Sequence, residues 1–193
     1  MANLDHTLAF QETPWEELIN GNVVLMSPRP AVNHNFVAGN IYRIFSNYLH
    51  GKRCTPFPDG TDLYLTEQDR FVPDGMIVCD PGKIHHDGVH GPPDLVVEVL
   101  SPSTAKYDRN HKREIYERCG VREYWIVSPN DRTVEQYFLQ NGHFVTHEVY
   151  VLHPDWFLTH LTQEERAAVV TTFQCSLYDD LDIHLEDIFY RLI

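Results

Sequence analysis

Glu98 is the residue whose setting most needs an explanation. It lies in the run DLVVEVL at 94–100, where Val and Leu otherwise describe a strand buried on both faces. Desolvation makes an unpaired buried carboxylate expensive, so this one must be protonated, salt-bridged or bound to a metal. Asp74, inside VPDGMIV at 72–78, poses the same question. Asp94 sits four residues before Glu98, about 13 Å along a strand rising ~3.3 Å per residue, too far to share one small cation. If the strands of Asp74 and Glu98 pair, their acids come within about 5 Å. With both side chains on one face they form the hard-oxygen site of a Mg²⁺ or Mn²⁺ ion completed by water and phosphate. Lys112 follows one turn into the next predicted helix, where an ammonium could stabilise charge on phosphate or orient a water. Tyr116, at i+4 on the same face, could hydrogen-bond beside it. The plainer reading of Lys112 is an exposed helical lysine.

Other candidates read more plainly. His85, His86 and His90 in HHDGVH resemble a metal cluster, but with twelve histidines in the chain a polar loop is the better reading than a zinc site. Ser101 and Ser103 have no GxSxG context for nucleophilic chemistry. Asp62, in GTDLYL, falls on a predicted strand near the proposed site and is read as a supporting, turn or surface residue. Tyr124 and Trp125 are read as core aromatics.

The elements that must position these residues follow from local pattern. ELINGNVVLM at 17–26 alternates around Asn20-Gly21, a pair suited to a tight hairpin. Phe36, Val37, Ile41, Ile44, Phe45, Tyr48 and Leu49 recur at helical spacing over 34–50, with Gly51 at the expected stop and no Asp or Glu inside. Extended runs at 53–57, 61–66, 72–79 and 95–100 read as neighbouring strands of one sheet. A helix over 108–119, with Asp108 as N-cap and Gly120 as stop, leads to a strand at 122–128. Strands near 133–139 and 143–151, a helix over 162–173 and a short docking helix in LEDIFYRLI complete the chain. The fold class is mixed α/β.

The chain has 193 residues and 42% apolar side chains, enough for a core without structural metal or disulfides. One domain is expected over 1–193, with a hairpin region at 1–33, a core at 34–150 and an acidic extension at 151–193. No membrane span or signal peptide is visible, and Cys54, Cys79, Cys119 and Cys175 lack metal-binding spacing, so they read as reduced thiols of a cytoplasmic protein. The formal charge of −13 disfavours nonspecific coating of DNA or anionic lipid. That charge is uneven: 151–193 carries eight acids and two bases, whereas 106–123 holds six bases against four acids. A polyanion should therefore approach the second segment, with Lys106, Arg109 and Arg113 as its guiding rim.

The run PPDLVVEVLSPSTAKYDRNHKREIYERCGVREYWIVSP at 92–129, with VPDGMIVCDP at 72–81, resembles the Uma-two family of restriction-endonuclease-like proteins within the PD-(D/E)XK nuclease superfamily. The resemblance implies a restriction endonuclease-like core with a mixed central sheet flanked by helices, and Mg²⁺- or Mn²⁺-dependent cleavage of phosphodiester bonds. By position, Pro73-Asp74 is the PD, Glu98 the second acid and Lys112 a displaced lysine. His34 matches a histidine frequent at the first helix, and the Val99 carbonyl is a third metal ligand. Nucleic acid, with DNA foremost, is the implied partner, and a homodimer follows by analogy. The chain departs from the pattern at Leu100, where the superfamily has lysine, and at Ser128, where relatives often have Asp. Those departures keep open a catalytically degenerate binding or assembly module.

Overall fold

The computed structural model describes residues 16–25, 30–101 and 108–193, with the side chains of 108 and 109 left out. The hairpin forms as β1 (Glu16–Ile19) and β2 (Asn22–Leu25). Asn20 and Gly21 both adopt positive φ, 49° and 77°, as a two-residue hairpin turn requires. Helix α1 (Val32–Leu49) buries a stripe of His34, Val37, Ile41, Phe45 and Leu49, spaced three and four residues apart.

The main sheet is built from β3 (Thr55–Pro58), β6 (Gly75–Val78), β9 (Leu95–Val99), β10 (Glu123–Ser128), β11 (Thr133–Gln140) and β12 (His143–Val151). Its order is β12-β11-β10-β9-β6-β3, and only β9 and β10 run parallel. The connection between that parallel pair carries a π-helical turn at Asp108–Lys112 and α2 (Arg113–Cys119), ended by Gly120 at φ 88°. Every residue of β6, β9 and β10 is buried, because both faces of the sheet are covered. Leu95, Val97, Val99, Trp125 and Val127 pack with α1 and the C-terminal segment. Val96, Tyr124 and Ile126 pack on the other face with α2 and a second sheet. Strand alternation therefore sends Glu98 to the α2 side.

The second sheet corrects the expectation that all the early strands are neighbours. Its order is β2-β1-β5-β4-β8-β7, where β4 is Leu63–Thr66, β5 Asp69–Phe71, β7 Ile84–His85 and β8 Gly88–His90. The 61–66 run thus leaves the main sheet, because the tight turn at 66–69 pairs it with β5. Asp69 holds that turn by accepting from Asn20 N at 2.9 Å, Thr66 Oγ1 at 2.8 Å and Arg118 at 2.6 Å.

Two further expectations change. The helix foreseen over 162–173 is limited to α4 (Gln163–Ala167), after α3 (Asp155–His160). A Thr162/Glu165 capping box starts it, but the following Val169, Val170, Thr171 and Thr172 are β-branched and favour extended chain. β13 (Thr172–Phe173) then pairs with β14 (Ile183–His184) ahead of α5 (Leu185–Ile188). Cys54 and Cys79 are joined in a disulfide rather than remaining thiols. Pairing of Thr55 with Val78 makes them the next cross-strand pair, a register that a spacing of 25 could not reveal. Cys119 and Cys175 are free. Among the described residues no helix is long and apolar enough to cross a membrane.

Candidate active site

The pairing of β3 with β6 and of β6 with β9 ends at Pro58, Gly75 and Val97, which face one another on three adjacent strands. The next residues on these strands are Asp59, Asp74 and Glu98, so three acids stand side by side at one sheet end. Pairing of β6 with β9 thus supplies the juxtaposition the sequence required of Asp74 and Glu98. This end is also where the parallel strands β9 and β10 finish, the place where open α/β sheets receive ligands.

Glu98 is buried, and its Oε1 accepts from Lys112 Nζ at 3.1 Å and from Tyr116 Oη at 2.7 Å. The helical i, i+4 relation of Lys112 and Tyr116 brings both donors to one carboxylate, and Lys112 is buried rather than exposed. Burial and the adjacent Glu98 charge push the Tyr116 phenol well above its usual range, so it donates rather than ionises. Asp74 accepts from the Val99 backbone N at 2.6 Å through Oδ2, and its Oδ1 lies 3.1 Å from His34 Nε2. Burial pulls the His34 pKa down, but the hydrogen bond and charge of Asp74, joined by the Asp59 charge, leave it raised. Burial and then the Asp74 charge raise Asp59, opposed by the Gly60 backbone hydrogen bond and by the charges of His34 and Lys112.

Sequence reasoning missed Glu17. This residue of β1 is buried, accepts from Val72 N at 3.1 Å and meets Lys112 Nζ at 2.9 Å. The signal was present in the strand period: Glu17 lies two residues before buried Ile19 and therefore shares its inward face. Asp59 was missed too, because its place depends on the register of β3.

The remaining candidates lie elsewhere. Asp62 is 3.7 Å from Arg70, and its carbonyl accepts from Val89 N at 2.9 Å, which ties it to the second sheet. Arg113 donates to the Phe144 carbonyl at 3.1 Å and stacks 4.8 Å from the Tyr137 ring, so it is turned toward β12. Arg118 and Arg122 are paired with Asp69 and Asp94. Lys106 and the side chain of Arg109 lie outside the described residues. Ser128 donates to Asp131 at 2.7 Å. His90 stacks on Tyr64 and pairs with Asp87, in keeping with a polar hairpin. The acidic extension packs mainly with α1 on the face opposite Glu98, although its last residue, Ile193, hydrogen-bonds Asn33 beside His34.

The donor set suits a hard divalent cation in type and in charge. Asp74 and Glu98 bring two carboxylates whose donor atoms are oxygen, and Glu17 adds a third negative charge against the one ammonium of Lys112. The site is not a ready chelate: among the described residues no three His, Cys, Asp or Glu groups converge on a metal position. Asp74 is engaged with His34 and Val99, and Glu98 with Lys112 and Tyr116.

A mixed sheet covered on both faces, with neighbouring acids at one end, places the chain among mixed α/β folds. A crystal structure titled as a putative nuclease belonging to DUF820 from Anabaena variabilis shares this architecture. That protein superposes with a TM-score of 0.67 over 91% of this chain and 90% of its own, at 20% identity, which shows a shared fold. The model of the Uma2 family, described as "Putative restriction endonuclease", matches residues 4–171, and the chain belongs to that family. Two uncharacterized Synechocystis proteins are also similar. One, slr1290, is 30% identical over 54% of this chain and 56% of its own length; the other, sll1609, is 28% identical over 66% and 73%. The family carries the description of a restriction endonuclease, and the structural likeness shows the fold alone.

Proposed function

We propose that the protein is a Mg²⁺- or Mn²⁺-dependent endonuclease that hydrolyses phosphodiester bonds of nucleic acid, with DNA as the favoured substrate. The observation that carries this reading is the balancing of Glu98, a carboxylate on a fully buried strand, by Lys112 and Tyr116 beside Asp74. Asp74, Glu98 and the Val99 carbonyl would hold the ion, which when bound supplies positive charge to the phosphodiester and acidifies a water. Tyr116 and the Val99 N–H orient the two carboxylates. Hydrogen bonding and charge join His34 to Asp74. Lys112 offers the ammonium that steadies an attacking water or the developing phosphate charge. Lys106 and Arg109 remain the candidates for guiding the substrate backbone, and a homodimer would suit cleavage of both strands, measurable by light scattering.

The test is cleavage of supercoiled plasmid, single-stranded DNA and RNA with Mg²⁺ or Mn²⁺ by wild type beside Asp74→Ala, Glu98→Ala and Lys112→Ala. Cleavage lost in the first two variants is the expected result. A second reading, an inactive module of nuclease fold, draws on Leu100 at the motif lysine position and on the internal pairing of Lys112, Arg118 and Arg122. Absence both of cleavage and of Mn²⁺ binding by calorimetry would favour it.

A further inference from the structure

Glu17 comes from the N-terminal hairpin, on the sheet that does not carry Asp74 or Glu98, yet its carboxylate is in the same buried ion-pair group. Lys112 Nζ is 2.9 Å from Glu17 Oε1 and 3.1 Å from Glu98 Oε1. The three side chains are each almost completely buried, at 5–6% exposure or less. A charge held between two carboxylates in a poorly solvated place is divided between them, and the stronger partner decides where it rests. Glu17 is itself anchored, because Val72 N donates to the same oxygen at 3.1 Å. It cannot follow the ammonium without giving up a backbone hydrogen bond.

We infer that Glu17 is a positioning residue that draws the Lys112 ammonium partly off Glu98, so that Glu98 can share its charge with a divalent cation. This rests on the metal-dependent reading above and assigns a role that reading does not require. The chemistry is a competition of two cations for one carboxylate. With Glu17 charged, Lys112 has a second seat, and a metal ion meeting Glu98 displaces half of a shared pair. With Glu17→Gln, the Lys112 charge rests more fully on Glu98, and the metal must break that stronger contact. The hairpin and second sheet thereby set the metal affinity of a site on the main sheet. Glu17 acts here through Lys112 and is not itself a ligand.

A double-mutant cycle on Mn²⁺ affinity tests this, read from the loss of the free-Mn²⁺ EPR signal in the full chain without substrate. Glu17→Gln removes the second seat and lowers affinity by roughly tenfold, whereas Lys112→Met removes the competitor and raises it. Loss of a nearby negative charge weakens any cation, so the decisive quantity is the Glu17→Gln penalty in each background. It shrinks at least about fivefold when Lys112 is already Met. Glu17→Asp, which keeps the charge, retains most of the wild-type affinity and serves if Glu17→Gln does not fold; Lys112→Gln serves likewise for Lys112→Met. Equal penalties in both backgrounds would overturn the inference and make Glu17 an ordinary member of the metal's charge environment. Wild type that binds no Mn²⁺ would instead overturn the metal reading, and this inference with it.

Discussion

Glu98 of β9 and Glu123 of β10 are buried carboxylates on neighbouring central strands of one sheet, and they are held in opposite ways. Glu123 accepts from Trp125 Nε1 at 2.6 Å, Gln136 Nε2 at 2.7 Å, Ser176 N at 2.7 Å and Ser176 Oγ at 2.6 Å. All four donors are neutral, and they come from β10, β11 and the C-terminal segment. Glu98 is balanced by a lysine from the π-helical turn and a tyrosine from α2, with Glu17 competing for the lysine. A carboxylate saturated by neutral donors fastens chain segments together and has no capacity left for a ligand. One balanced by an ammonium on a flexible stem can exchange that cation for another. Burial alone therefore does not mark a site; the type of donor does.

Matched substitutions sharpen the contrast. Glu98→Gln keeps an acceptor for Tyr116 but removes the charge, and is expected to lower plasmid cleavage by about 10³-fold. The same change leaves unfolding free energy in urea within roughly 1–2 kcal/mol of wild type, since Lys112 keeps Glu17. Glu123→Gln turns an acceptor into a donor facing donors, and is expected to cost about 3 kcal/mol in the same urea experiment. Cleavage per folded molecule should stay near wild type; a fall comparable with that of Glu98→Gln would erase the distinction between the two carboxylates.

The disulfide separates stability from site in another way. Cys54 and Cys79 close the β3–β6 pair at the end away from Asp59 and Asp74. Reduction, or Cys54→Ala with Cys79→Ala, is expected to lower stability by about 3 kcal/mol in denaturant, given the 25-residue separation. Mn²⁺ affinity should move less than about threefold, because the register at the far end has its own ladder. A larger loss would mean that the clip supports the acids directly.

His34 tests the site's electrostatics through pH. Its folded pKa is raised above the ordinary 6.5: burial lowers it, but the hydrogen bond and charge of Asp74, with the Asp59 charge and the Asn35 hydrogen bond, together outweigh burial. The stabilisation is thus fully present below that ordinary value and is lost as pH rises through the raised one. Without metal, the stability gap between wild type and His34→Gln should be wider near about pH 5.5 than near about pH 8. A gap that is flat or reversed would show that the imidazole does not share a proton-linked pair with Asp74. Asp62→Asn is the smallest change expected, within about 0.5 kcal/mol and without effect on cleavage, since Asp62 serves the surface of the second sheet.

Much of this arrangement was legible in the residues. Glu98 announced itself because a charge interrupts an apolar strand, and Asp74 because a strand carrying it could pair alongside. Lys112 and Tyr116 followed from helical spacing, and Asn20-Gly21 marked the hairpin. Glu123 escaped notice because a polar residue at the start of a strand looks like an ordinary strand edge; its donors Gln136 and Ser176 come from elements 13 and 53 positions away. Glu17, Asp59 and the disulfide escaped for a related reason, since each depends on the register between strands distant in sequence.

The sequence by itself determined most of the elements, their apolar faces and the helical spacing that brings Lys112 and Tyr116 to one carboxylate, because periodicity and local turn chemistry act over a few residues. Tertiary structure decided which strands leave for the second sheet, which cysteines meet and which carboxylates share Lys112. Those outcomes depend on how strands pair and on what each buried charge finds within about 3 Å, the range over which hydrogen bonds and ion pairs are made.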